Sequence, residues 1–418
     1  MRSEVQNCPP LTHDEALNVR PAAGWLASIG ANVVFLGLTS LLTDVSSEMV
    51  TAVLPLYLTS VLRFSPFAFG VFDGLYQGVS GLVRIWGGLI ADRRRRHKEV
   101  AAAGYATSAL CKLGLVVSGA LWVPTSICLM VDRLGKGVRT PPRDALIALS
   151  SSREHVAEAF GVHRAMDTAG ALIGPLLAFA LLARAPAAFD AIFVVSFAFA
   201  VAGVGVLVLF VENRRAGVDT AAVGVASWRT TIGLLKVPAF RSVVLAGCVL
   251  GVATISDAFV YLVVQRRANL APHLFPLLPV AMSLTYLVLA VPVGRLADRF
   301  GRARVLLAGY GALAAAYVPL AWANAGPAPL LASLVLLGAY YAATDGVLMA
   351  MASRTLPSEL LTGGLALLTT GTVLTRLFGS TLFGAAWSWY GPEGAVRLFL
   401  CGLAVALGIA ATALRAPA

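Results

Sequence analysis

The chain has 418 residues, of which 58% are hydrophobic and only 13% charged, with a net charge of +11 and a mean hydropathy of +0.81. Soluble domains carry about 25% charged residues, so this composition cannot cover a water-facing surface. A positive surplus can signal nucleic acid, but here it sits in short connectors between apolar runs, which excludes that reading and fits a membrane.

Residues 1–24 are polar and mixed in charge, without the basic start and apolar centre of a cleaved signal, and are expected to form a disordered cytoplasmic tail. A helix crossing a hydrocarbon core of roughly 30 Å needs about 20 apolar residues. Twelve are predicted, near 29–58, 67–90, 100–122, 125–149, 157–182, 189–211, 241–264, 274–296, 304–324, 329–352, 363–388 and 394–414. Breakers such as Ser65-Pro66, Ala185-Pro186 and Gly391-Pro392 mark the connectors. The domains expected are therefore a tail at 1–24, a six-helix bundle at 25–211, a linker at 212–240, a second six-helix bundle at 241–414, and a tail at 415–418. A short amphipathic surface helix is predicted within the linker at 228–236. Cys8, Cys111, Cys128, Cys248 and Cys401 show no paired spacing, and the last four read as small buried hydrophobes. Basic residues collect in one set of connectors, around Arg93, Lys98, Arg153, Arg214, Arg299 and Arg354, while few fall in the other set at Arg63, Arg184, Arg266 and Arg267. The rich side is expected to be cytoplasmic, and an even helix number puts both termini there, in a bacterial inner membrane.

The first helix carries Thr43, Asp44, Ser46, Ser47 and Glu48 near its midpoint. Asp44 and Glu48 are four apart and share one helix face. A charge at a helix centre costs about 2.5–3.5 kcal/mol on insertion scales, so two acids require a polar interior or protonation. Such a pair titrates as a coupled unit and suits proton-driven transport; the alternative is a structural pair neutralised by a basic neighbour. The second and third helices add Asp73, Gln77 and Lys112 as cavity candidates, while Arg84 is expected to snorkel toward the cytoplasm. The second helix then ends in a stretch that recurs. Gly88, Asp92, Arg93, Arg96 and Lys98 align with Gly294, Asp298, Arg299, Arg302 and Arg304 at a constant separation of 206 residues, which points to a duplicated membrane protein.

In the fourth helix Arg133, Lys136 and Arg139 recur every three residues as a basic stripe, with Pro141 and Pro142 expected to bend or end the helix. Arg139, Arg143 and Asp144 are expected in the headgroup layer. The fifth helix reads His163, Arg164, Asp167, Gly170, Gly174 and Pro175; glycines four apart permit close helix contact, and the proline frees a backbone carbonyl. In the seventh helix Val243, Val244 and Gly247 match Val33, Val34 and Gly37. That register sets Asp257 opposite Ser47, beside Glu48, facing a shared central cavity. Asp345 in the tenth helix is a further candidate.

The repeated stretch resembles the loop signature of the major facilitator superfamily, between the second and third helices for the first copy and between the eighth and ninth for the second. The first copy has Arg95 where the family usually has a glycine; the second keeps it as Gly301. The resemblance implies the superfamily's fold, an all-α membrane protein of twelve helices in two pseudo-symmetric six-helix bundles. It also implies that Gly88 permits close helix approach, and that Asp92 and Arg96 latch the cytoplasmic side against the eleventh helix near Thr362. Arg133-x-x-Lys136-Gly137 resembles the fourth-helix signature, with Lys in place of Gln, and gives Arg133 a part in proton coupling. Gly170-x-x-x-Gly174-Pro175 resembles the fifth-helix signature of the antiporters. Together, Thr43–Met49, Gly135–Pro141 with Arg143–Ala145, and His163–Pro175 are similar to a bacterial subgroup some of whose members resemble permeases of magnetosome gene clusters.

The function expected is secondary active transport by alternating access, coupled to protons through Asp44, Glu48, Asp257 and Arg133, with export preferred. Ser47, Asp73, Gln77, Lys112, Lys136 and Asp345 would line the substrate cavity. Gating and packing fall to Gly88, Asp92, Arg93, Arg96, Gly170, Gly174, Pro175, Gly294, Asp298, Arg299, Gly301 and Arg302. The partners expected are a small-molecule or ion substrate, protons and the lipid bilayer, with no nucleic acid, metal or cofactor, and the chain is expected to be a monomer. Two alternatives remain open: an uptake permease for an organic or phosphorylated anion, and a transporter-shaped sensor or scaffold. No nucleotide signature appears, so the energy source is an ion gradient, and no serine, cysteine or histidine arrangement suggests an enzyme.

Overall fold

The computed structural model describes residues 30–94, 96–151, 155–213, 232–322, 326–356 and 360–415; the side chains at 82, 84–89, 92–94, 157, 361 and 362 are also outside the description. The tail at 1–24 and most of the linker therefore lie outside the described residues, as do the side chains of Arg84, Asp92 and Arg93.

The described chain is helical throughout. The first half contains α1 (Ala31–Leu56), α2 (Pro66–Arg94), α3 (His97–Ser118), α4 (Trp122–Leu149), α5 (Val156–Arg184) and α6 (Phe189–Phe210). The second contains α7 (Pro238–Val252), α8 (Asp257–Arg267), α9 (Leu277–Phe300), α10 (Arg302–Ala321), α11 (Pro327–Thr344), α12 (Val347–Arg354) and α13 (Leu361–Arg415). Nine helical stretches among the described residues are long and apolar enough to cross a membrane. Two further helices, α2 and α4, are long enough, but α4 carries Asp132, Arg133, Lys136, Arg139, Arg143 and Asp144 and is correspondingly polar. The α13 run holds two crossings folded at Gly391, whose φ of 72° and ψ of 175° are non-helical, a backbone state that glycine tolerates best.

Two predicted spans are broken. The seventh consists of α7 and α8 with Ala253–Ser256 unwound between them, and the freed backbone N–H of Ile255 donates to Tyr317 Oη at 2.7 Å. Irregular backbone at membrane depth needs such a protein partner. The tenth consists of α11 and α12, parted at Asp345 and at Gly346, which has φ 79°. Pro141 and Pro142 do not end α4, which stays helical to Leu149. Of the helix predicted at 228–236, residues 228–231 lie outside the description; Leu234–Lys236 forms a 3₁₀ turn, with Leu234 buried against Phe240 and Leu368.

Packing follows small residues. The helix α5 lies on α1, where a Cβ at Gly170 would fall 2.6 Å from Leu41 O and one at Gly174 would fall 2.7 Å from Val45 O, so only glycine permits the approach. Helix α3 packs on α4 and α6, and α10 on α11 and α13. Between the halves the main contact is α2 against α13, with a smaller one of α5 against α9. Side chains such as Val117 and Leu209, 80% and 76% exposed, point outward, as lipid-facing positions do.

Candidate functional site: the cavities between the halves

A cavity of about 300 Å³ lies between the halves, and Glu48, Asp73, Gln77, Arg133 and Asp257 all reach its wall. Glu48 comes from the first span and Asp257 from the seventh. The unwound segment makes this placement of Asp257, because it starts α8 with Asp257 in its first turn, where a carboxylate faces the positive end of the helix. Tyr341 Oη donates to the two Asp257 oxygens at 2.9 and 3.0 Å.

Arg133 is pinned at the wall. It donates to Thr51 Oγ1 at 3.0 Å and to Tyr76 Oη, and its guanidinium carbon stands 4.0 Å from the centre of the Tyr76 ring. Three contacts from two helices fix its orientation, while a cation over an aromatic face remains charged and available to solute. Asp73 is buried and spans the halves: its Oδ2 accepts the Ser380 hydroxyl at 2.8 Å. Beside that bond a Cβ at Gly70 would lie 2.5 Å from Ser380 O. On the same side of the cavity Phe259 meets Phe69, Phe383 and Trp387 at ring distances of 4.9, 4.7 and 5.5 Å. The halves are thus closely joined at the end opposite the repeated Asp-Arg stretches.

A second cavity of about 410 Å³ lies toward those stretches and contains Asp44, Lys136, Arg143, Asp167 and Tyr286 on its wall. Ala171 and Ser283 border both cavities. Although Asp44 and Glu48 share a helix face, they serve different cavities. Lys136 Nζ stands 3.8 Å from Glu48 Oε1, with both side chains about 30% exposed, so the pair is weak and solvated.

Several expectations need correction. Lys112 does not border these cavities: it is 1% exposed and forms an ion pair with Asp132 at 2.9 Å across the α3–α4 seam. Ser47 is buried and absent from the cavity wall, its carbonyl accepting the Thr51 hydroxyl. Asp345 is exposed at the break in the tenth span, accepting Tyr286 Oη at 3.3 Å, and borders two smaller cavities instead of the central one. Arg139 and Arg143, expected in the headgroup layer, are engaged inside the protein. Arg139 is 3% exposed, donates to Ser108 Oγ at 3.2 Å and stacks 4.4 Å from Tyr105; Arg143 donates to Ser40 and Asp144. Only Asp144, with a side chain 42% exposed, is open to solvent.

The repeated stretches differ from each other. In the second, Gly301 takes φ 100° between α9 and α10, and Arg302 clamps the turn, donating to Asp298 at 2.9 Å and to Ala350 O at 2.8 Å. Arg299 stands over Phe300. Gly294 has nothing within 4 Å of a hypothetical Cβ, so it makes no close helix approach here. In the first, Gly88 lies within α2 and Arg96 is exposed ahead of α3, while Arg95, the counterpart of Gly301, lies outside the described residues. Pro175 sits inside α5 and borders the central cavity.

The sequence reading missed Arg376, Tyr76 and Tyr341. Arg376 borders a cavity of about 210 Å³ in the second half with Tyr310, Tyr340, Tyr341 and Asp345. As a lone arginine in the apolar run at 363–388, it carried the same signal as Lys112.

The sequence pattern of the Major Facilitator Superfamily matches residues 36–282 and 258–418. An uncharacterized MFS-type transporter of Methanocaldococcus jannaschii is 29% identical over 391 residues, spanning 90% of this chain and 94% of that protein. An uncharacterized protein of Mycobacterium tuberculosis is 34% identical over 151 residues, 36% of each chain. Among solved structures, the nucleoside transporter NupG superposes with a TM-score of 0.75 at 13% identity, covering 91% of this chain and 98% of that one. A bacterial homologue of the lysosomal transporter Spinster, inward-facing and unoccupied, gives 0.70 at 12% identity, with 92% and 96% covered. At such identities the likeness is one of fold, and with paired halves around a polar cavity and the family pattern over nearly the whole length, the chain belongs to the major facilitator superfamily of membrane transporters.

Proposed function

We propose that the protein is a proton-coupled secondary transporter that moves a small solute by alternating access, in the direction of export, from a bacterial inner membrane with both termini in the cytoplasm. One observation carries the reading: Glu48 and Asp257, acids on pseudo-equivalent spans, face one cavity between the halves beside Arg133. Two carboxylates around a solute can exchange protons for it, and Arg133 gives the ionised acids a fixed counter-charge. Asp44, in the neighbouring cavity, extends the acidic path toward the repeated stretches. The close seat of Gly170 and Gly174 on α1 supports the antiporter likeness and hence export. The resemblance to magnetosome-cluster permeases concerns the same stretches and leaves the cargo open.

The test is a panel of solutes in proteoliposomes under an imposed pH gradient. Glu48→Gln and Asp257→Asn should insert normally yet lose gradient-driven accumulation, while counterflow, which needs no net proton movement, survives. Accumulation at the parent level in both variants would remove the proton assignment. A second reading, uptake of an organic or phosphorylated anion, is favoured by Arg376 among the tyrosines of the smaller cavity. It predicts that Arg376→Gln weakens binding of anionic members of the panel alone.

A further inference from the structure

We infer that Asp167 is a second proton-binding site, set in the first half against α1 and α4 and reached from the 410 Å³ cavity. Its role in transport rests on the proton-coupled reading above; the binding of the proton does not.

Asp167 lies one helical turn beyond His163 on α5. Its Oδ2 is 3.6 Å from His163 Nδ1 and 3.9 Å from Arg143 Nη1, both beyond hydrogen-bond length. Its Oδ1 is buried with no hydrogen-bond partner. Arg143 is engaged elsewhere: Nε and Nη2 donate to Asp144 Oδ1 at 3.0 and 2.9 Å, and Nη1 donates to Ser40 Oγ at 3.1 Å. The His163 ring is 3% exposed, with Nε2 at 2.9 Å from the same Ser40 Oγ, which also meets Tyr105 Oη at 3.3 Å. The cluster is therefore built around a carboxylate that shares its nearest guanidinium with a closer acid, Asp144. A buried acceptor left unpaired is unfavourable as an anion and is relieved by a proton.

The charged and titratable groups facing Asp167 come from every helix packed there. Asp44 comes from α1, and Tyr105 from α3 through Ser40. Lys136, Arg139, Arg143 and Asp144 come from α4, His163 and Arg164 from α5 itself, and Tyr286 from α9. With the proton bound, Asp167 is neutral and Arg143 stays with Asp144. On release to the cavity, the anion draws Arg143 and His163 toward it. Gly170 and Gly174 seat the next two turns of α5 on the α1 stretch that carries Asp44 and Glu48, so the exchange acts directly on that seam.

Acid-induced infrared difference spectra of the full-length protein in liposomes, without solute, test the site. The carbonyl band of a protonated carboxylic acid should appear on acidification, persist in Asp44→Asn and Glu48→Gln, shift in frequency in His163→Gln, and vanish in Asp167→Asn. Asp167→Glu, which keeps the acid, should restore a band and controls for misfolding. A band unchanged in Asp167→Asn, or one removed by Asp44→Asn instead, overturns the site. Because no solute is present, this outcome is independent of the transport assay. Transport by the unsubstituted protein that ignores the pH gradient, with the band intact, would refute the transport reading and leave the site standing.

Discussion

Lys112 and Asp132 show how a charge inside a membrane bundle can be structural. Both side chains are almost fully buried and meet at 2.9 Å, so removing one strands the other. Breaking a buried pair typically costs about 3–5 kcal/mol, whereas replacing both partners by apolar groups is often neutral. Lys112→Met should therefore lower the melting temperature of the purified protein markedly, and adding Asp132→Leu should restore most of the loss; an unchanged melting temperature in Lys112→Met would show that the pair contributes nothing. The two uses of charge were not separable in the sequence. Glu48 and Asp257 were legible because ionised residues are rare in apolar runs and these two share a register between the halves. Lys112 gave the same signal, and its partner lies on the next helix, where only packing decides which face Asp132 presents. Tyr76 and Tyr341 were invisible for a different reason: a tyrosine in an apolar run reads as core until its hydroxyl is seen to hold Arg133 or Asp257.

Helices in this molecule meet where glycine removes a side chain. The contact of α2 with α13 depends on Gly70, since any Cβ there would strike the Ser380 carbonyl at 2.5 Å. Gly70→Ala should therefore part these helices at the end opposite the repeated stretches. Spin labels on Ser65→Cys and Trp389→Cys should move apart in that background. Gly294→Ala, which meets nothing within 4 Å, should leave the same distance unchanged. An identical distribution in Gly70→Ala would mean that this contact does not hold the end shut. The glycine spacing on α5 announced its close contact with α1, because two glycines a turn apart leave a visible groove. Breaks in the seventh and tenth spans were not announced. Thr254 and Ser256 are polar but are tolerated within a helix, and the unwinding is accompanied by a hydroxyl from α10 that accepts the Ile255 N–H.

Across the whole molecule, the placement of arginines in the connectors sets an expectation for sidedness. In a background with its five cysteines replaced, an impermeant thiol reagent applied outside cells should label Ser65→Cys, Ala187→Cys and Gly391→Cys. It should spare His97→Cys, Thr220→Cys and Ser358→Cys, and the reverse pattern would invert the orientation. The twelve-span count was legible because each span must hide its own backbone from lipid, which leaves a long apolar record. The division of polar groups among four cavities was not, since it depends on how helices rotate against one another. The unwound Ala253–Ser256 segment carries a consequence for the timing of transport. Phe259, the centre of the aromatic cluster, rides on α8, a piece of 11 residues separated from the rest of its span. A short lever can swing before the bundle behind it has moved. Under the proposed alternating access, the cycle gains an intermediate in which the aromatic cluster has parted while the Gly70 contact still holds, and single-molecule distance traces across that end should show three dwell levels where one rigid rocking motion would give two.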